Sequence, residues 1–147
     1  MKNAVTLTMR LQNELKGPHM TGNTFLRTSV VFLTCGVILG LIMGGSQDFT
    51  QAPTHAHLNL IGGVWMFLAG LFYNAHPQIS SKLRTAHYVL SVLGVLGFVI
   101  GLYGKLSGQH WGEPPLMIGS LITGISFLLF AVIVFMSTGK KSMLTGS

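Results

Sequence analysis

The chain has 147 residues, of which 49% are hydrophobic and only 8% charged, with a formal net charge of +6. A soluble domain carries roughly 25% charged residues, so this composition excludes an ordinary water-soluble fold and specifies a membrane protein. The positive charges form no dense patch interleaved with aromatics, and no nucleic-acid partner is expected.

Residues 1–24 carry Lys2, Arg10 and Lys16 with the polar pair Gln12 and Asn13. The first apolar run therefore begins too late for a cleaved signal and reads as a retained span. Residues 1–15 read equally as a weakly amphipathic surface helix or as a flexible tail. Four apolar runs follow, at 25–43, 57–73, 83–103 and 115–136. Each approaches the length needed to cross roughly 30 Å of hydrocarbon at about 1.5 Å per residue, the second only marginally. The expected fold is all-α: one bundle of four transmembrane helices over 25–137, preceded by a segment at 1–24 and followed by a short tail at 138–147.

Lys2, Arg10, Lys16 and Arg27 precede or open the first span, Lys82 and Arg84 separate the second from the third, and Lys140 and Lys141 follow the fourth. The other two connections hold Asp48, Lys105 and Glu113. The positive-inside rule then places both termini in the cytoplasm, and a bacterial inner membrane is the expected location.

Gly36, Gly40 and Gly44 recur at every fourth position of the first span, and Gly94, Gly97, Gly101 and Gly104 form a similar stripe in the third, while Gly119, Thr123 and Ser126 mark the fourth. Small residues at this spacing admit close helix approach, within the monomer, between protomers or against the edge of a planar cofactor. Cys35 is the single cysteine and reads as a small packing residue inside the first span. Pro53 suits the first turn of the second helix, Pro77 stops it, and Pro114 and Pro115 open the fourth.

His55 and His57 stand two residues apart at the mouth of the second span. On an ideal helix that spacing separates them by about 200°, so His57 shares a face with Ile61, Val64 and Leu68, and His55 with Asn59 and Gly62. One imidazole would bind iron while the other anchors a propionate, or the pair would support a surface metal with His110, or both would serve structural hydrogen bonds. Met117, His110 and His55 are the candidates to complete a His57 site, with Tyr103 and Trp111 lining it. At the opposite end His76 and His87, with Lys82 and Arg84 nearby, would bind a second haem or attract its propionates; alternatively His87 is a hydrogen-bonded structural residue, His76 beside Pro77 caps the helix and Arg84 anchors at the interface. His57 and His87 should lie roughly 20 Å apart along the membrane normal, too far to share one iron.

The run His55-Ala56-His57-Leu58-Asn59-Leu60, followed by Gly62, Gly70, Leu71, Tyr73 and Pro77, resembles the second helix of haem-copper oxidase catalytic subunits, closest to the nitric oxide reductase branch. Arg84-Thr85-Ala86-His87-Tyr88 resembles small stand-alone membrane proteins described as cytochrome oxidase subunit I-like. The similarity covers mainly 54–103. It implies haem b, with an axial histidine at His55 or His57, the His-x-Asn alignment favouring His57. Family members have about twelve spans, so oxygen or nitric oxide reduction is not expected of this chain alone.

The leading expectation is thus a homo-oligomeric haem b membrane protein that transfers electrons, to a redox partner or quinol, or senses a redox or gas ligand. The alternatives are a cofactor-free structural or assembly subunit and a copper or zinc protein using His55, His57 and His110. No paired carboxylates, phosphate-cradling loop or nucleophilic triad is present to suggest a hydrolase.

Overall fold

The computed structural model describes residues 21–139. The surface-helix and tail readings of residues 1–15, and the charges Lys140 and Lys141, lie outside the described residues. Four helices long and apolar enough to cross a membrane account for nearly all of the described chain. They are α1 (Gly22–Ser46), α2 (Ala52–Ala75), α3 (Ser81–Leu106) and α4 (Glu113–Gly139), with a single 3₁₀ turn, His110–Gly112, before the last. At 24 to 27 residues the helices are longer than the apolar runs within them. A span of roughly 36 Å exceeds the hydrocarbon thickness, so the polar end turns stand in the headgroup layer. The second span is accordingly not marginal: it starts at Ala52 and carries both His55 and His57 in its opening turns.

The prolines act as their geometry dictates. Pro53 sits in the first turn of α2, Pro114 and Pro115 sit in the first turn of α4, and α2 ends at Ala75, two residues before Pro77. Between α1 and α2, Gln47 takes a left-handed conformation (φ 55°) past the last turn of α1, and Asp48 accepts hydrogen bonds from the Thr50 hydroxyl (2.6 Å) and N–H (2.9 Å). That hydroxyl, then the amide, hold the exposed Asp48 carboxyl below its ordinary value.

Within α2, Leu58–Trp65 is π-helical, with α-helix before and after it. The wider i→i+5 turns shift the phase of everything beyond them. The face sharing expected of an unbroken 3.6-residue helix therefore fails for His57: it packs on α3, whereas Val64 and Leu68 point outward at 47% and 53% exposure. His55 and Asn59, at the start of the π segment, do share a face.

The bundle is two helical hairpins, α1 on α2 and α3 on α4, joined through α2 and α3. Glycines set both hairpin contacts. Asn59 lies where a side chain on Gly36 would stand and His55 where one on Gly40 would; in return Phe32, Leu33 and Leu26 fill the space over Gly62, Gly63 and Gly70 of α2. The α3 stripe faces α4 and the 3₁₀ turn before it: Thr123 lies over Gly94, Gly119 over Gly97, Leu116 over Gly101 and Trp111 of the turn over Gly104. The stripes thus serve packing within the chain, apart from Gly44, which faces open space. Cys35 corrects the expectation of a packed small residue, since it is exposed on the outside of α1. The core runs from Phe25, Tyr73, Ile79 and Ile133 at one end through Met66, Ala69 and Val95 to Leu58 near the other.

Candidate functional site

At the end of the bundle nearest the α1–α2 connection, the two imidazoles diverge as their spacing requires. His55 turns onto α1, where its Nδ1–H donates to the Gly36 carbonyl at 2.8 Å, and the Asn59 amide stands 3.3 Å from its Nε2. With Nδ1 as donor, Nε2 is the acceptor and Asn59 the donor to it. His57 turns the other way, onto α3: its ring tilts on Phe98 with centroids 4.9 Å apart, and its Nδ1–H donates to the Pro53 carbonyl of its own helix at 2.7 Å. That bond leaves Nε2 as the nitrogen with a free lone pair. Asn59 is fixed by packing on Gly36, and its Oδ1 is buried with no hydrogen-bond partner among the described residues.

The other outer candidates do not converge on this pair. His110 is exposed in the 3₁₀ turn, and Met117 is 73% exposed on the lipid side of α4. Tyr103 and Trp111 are half exposed, Trp111 lying over Gly104. Among the described residues no three His, Cys, Asp or Glu side chains gather as a metal ion would need. A closed zinc site takes four such ligands and a catalytic one three.

At the opposite end His87 is completely buried. Its Nδ1 is hydrogen-bonded to the Tyr73 hydroxyl at 2.9 Å. Phe25 and Phe130 both stack on its ring, with centroids 5.3 and 5.0 Å away and planes tilted by 29° and 21°. Phe25 belongs to α1, Tyr73 to α2, His87 to α3 and Phe130 to α4, so all four helices meet at this imidazole. Its Nε2 is buried without a partner among the described residues. Tyr88 extends the cluster: its ring meets Phe25 edge-on at 5.1 Å and its hydroxyl bonds the Thr28 hydroxyl at 2.8 Å. About one turn from the Thr28–Tyr88 level toward the other end, Ser91 and Ser126 share a 2.8 Å hydrogen bond between α3 and α4.

His76 closes α2: its Nδ1–H donates to the Phe72 carbonyl at 2.9 Å and its ring stacks on Phe72 at 4.3 Å. This is the capping role open to it from the sequence. Arg84 lies one turn before Tyr88 on α3, half-buried, with its Nε enclosed and without a hydrogen-bond partner among the described residues.

Sequence reasoning did not pair Tyr73 with His87. The signal was available: Tyr73 lies two residues from the end of α2 and His87 in the second turn of α3, so antiparallel helices bring them to nearby depths. A hydroxyl and an imidazole within a span each require a partner. The stack of Trp65 on Phe127, at 3.9 Å and 7°, carried no such signal. It walls an apolar groove of about 670 Å³ on the lipid side of α4, whose one hydroxyl, Ser120, already donates to the Leu116 carbonyl.

No family model, no curated protein and no solved structure matches this chain. The resemblance to haem-copper oxidase catalytic subunits, to their nitric oxide reductase branch and to cytochrome oxidase subunit I-like proteins is therefore corrected, together with the haem and iron identity it carried. The chain is a small four-span bundle and not a twelve-span catalytic subunit. The physical reason lies in the motif itself. His55 and Asn59 recur at helical spacing because they fit the notches at Gly40 and Gly36, and a packing pattern of that length is too short to specify a family.

Proposed function

We propose that this protein is a structural or assembly subunit of a membrane complex, acting through helix packing without a resident cofactor. The carrying observation is the junction at His87, where a residue from each of the four spans meets one buried imidazole. A haem-ligating imidazole presents a ring nitrogen to an open space large enough for the macrocycle, whereas His87 is enclosed by aromatic rings and ties the two hairpins together. His55 supports the same reading, since both its nitrogens face hydrogen-bonding groups of α1 and α2. Both termini on the cytoplasmic side of a bacterial inner membrane, and a homo-oligomeric state, belong to this proposal; the first is supported by Arg27, Lys82 and Arg84 at one end of the bundle.

The test is to purify the full chain in detergent after expression with added haem precursor, copper and zinc. Oxidised and dithionite-reduced visible spectra are recorded, and haem and metal are measured against protein. The expected result is a helical, cooperatively melting protein with neither haem nor metal in stoichiometric amount. A stoichiometric Soret band with reduced alpha and beta bands overturns the proposal. A colourless protein with stoichiometric copper or zinc also overturns it, and makes His57 Nε2 the first ligand to examine.

A further inference from the structure

The fourth helix carries two seams of the same period, and the chain itself uses one. Leu116, Gly119, Thr123, Ser126 and Phe130, alternately three and four residues apart, all meet α3. Met117, Leu121, Gly124, Leu128, Ala131 and Phe135 repeat that spacing roughly 140° round the helix, and all six are exposed. A mean period of 3.5 residues is what keeps two helices in contact along their length, crossing at about 20°. In keeping with an open second seam, α4 is the least buried of the four spans.

Apolarity selects nothing inside a bilayer, because lipid covers any apolar face equally well. Shape distinguishes this one. A side chain on Gly124 would meet nothing within 4 Å among the described residues, and Ser120 lies one turn before it. Both small residues border the groove of about 670 Å³ whose far wall is Trp65 of α2. Leu121 and Leu128, 67% and 70% exposed, stand on either side of the Gly124 notch at the depth of that groove. The patch therefore carries projections and a hollow together. A pair related by a two-fold axis must meet through one and the same patch, so self-complementarity of this kind fits a second copy.

We infer that two copies of this chain pair through α4, parallel and crossing at Gly124, with Leu121 and Leu128 of each seated in the other's groove beside Trp65. Covering Met117, Leu121, Leu128, Phe135 and the small residues between them removes roughly 1,000 Å² over both copies, the lower bound of a specific interface. In hydrocarbon that area counts as van der Waals contact, which the small residues make close. No unpaired carboxylate opposes the approach, since Glu113 at the head of α4 is bound by Lys105 of its own chain at 3.2 Å. The inference rests on the homo-oligomeric state in the proposed function and names its surface.

This face touches nothing in its own chain, so its substitutions alter pairing and leave the single chain folded. The pairing is read in a bilayer, where chains are concentrated, and not in excess detergent. Full-length chains carrying Cys35→Ser and Gln109→Cys are labelled at position 109 with donor or acceptor dye. Energy transfer is then followed in vesicles of phosphatidylcholine and phosphatidylglycerol at rising lipid-to-protein ratio. Transfer above random proximity, linear in acceptor fraction as for a pair, is expected. Gly124→Ile fills the notch and is expected to weaken pairing about tenfold, the scale of an overpacked contact. The double variant Leu121→Ala/Leu128→Ala removes the projections and should weaken it as well. Gly44→Ile, at another open glycine, leaves it unchanged. Transfer no greater than random proximity in the wild type overturns the inference together with the homo-oligomeric state, and leaves the cofactor-free reading to its own test. Wild-type pairing in Gly124→Ile or in the double variant, or an equal loss in Gly44→Ile, overturns the α4 surface alone. Transfer that curves with acceptor fraction marks a larger assembly and overturns the two-fold pair.

Discussion

The Tyr73 hydroxyl lies 2.9 Å from Nδ1 of His87, and this bond links the last turns of α2 to the opening turns of α3 across an enclosed aromatic nest. The short connection between these helices brings the two residues to one depth, and the hydrocarbon gives neither polar group an alternative partner. The bond fixes the register of the hairpins. The rings around it supply contact area, and the two contributions separate by mutation.

Tyr73→Phe keeps the ring and deletes the hydroxyl. Hydrogen bonds between transmembrane helices average only about 0.6 kcal/mol and reach about 1.7, because the separated helices also find partners in the membrane. A loss of about 1 kcal/mol is therefore expected. Equilibrium unfolding in mixed micelles by sodium dodecyl sulfate measures it, and the double variant Tyr73→Phe/His87→Phe should cost less than the sum of its single changes, since no buried polar group is then left unpaired.

Phe130→Ala should cost more than Tyr73→Phe. Phe130 stacks on His87 and meets Trp65, Phe72 and Tyr73 edge to face, at centroid distances from 5.2 to 6.0 Å. Removing a packed ring from a core costs about 3–5 kcal/mol. The same unfolding titration ranks the two, and a Phe130→Ala loss no larger than that of Tyr73→Phe would show that the hydrogen bond, and not the aromatic packing, holds the hairpins together.

The four spans were legible because their signal is composition over some twenty residues, which local conformation does not disturb. Helix ends were legible at Pro53, Pro77 and Pro114 for the same kind of reason, a covalent restriction on the backbone. The site was less so. The divergence of His55 and His57 follows from helical geometry, but the facing of His57 depends on the π-helical stretch at Leu58–Trp65, which no residue type announces. The uses of His55 and Asn59 depended on which helix the Gly36 and Gly40 notches would meet, a tertiary fact. A motif of histidines at helical spacing is compatible with ligation and with packing, and resemblance on so few residues could not separate them.

The turn between α1 and α2 should respond to acid. Asp48 has its carboxyl lowered chiefly by the Thr50 hydroxyl, then by the Thr50 amide. A depressed folded-state value means that the stabilisation is present above the ordinary carboxylate range and is lost as pH falls through the lowered value. In Thr50→Ala the Asp48 carboxyl should titrate higher, approaching the ordinary value of about 3.9. Carbon-13 NMR of the labelled carboxyl in micelles reads the shift directly; an unchanged titration would mean that the amide alone holds the charge.

Glycines of the fourth helix should divide sharply by what faces them. A side chain on Gly119 would run into the backbone of Phe98 and Gly97, which cannot move without separating α3 from α4, whereas one on Gly124 would meet nothing within 4 Å among the described residues. Gly119→Ala is thus an overpacking change, with an expected loss of about 1–3 kcal/mol. Gly124→Ala adds a better helix former at an exposed position and should be neutral or stabilising by up to about 1 kcal/mol. Thermal unfolding in detergent compares them, and a comparable loss from both would mean that α4 packs by the Gly124 face, against another chain, as tightly as it packs on α3.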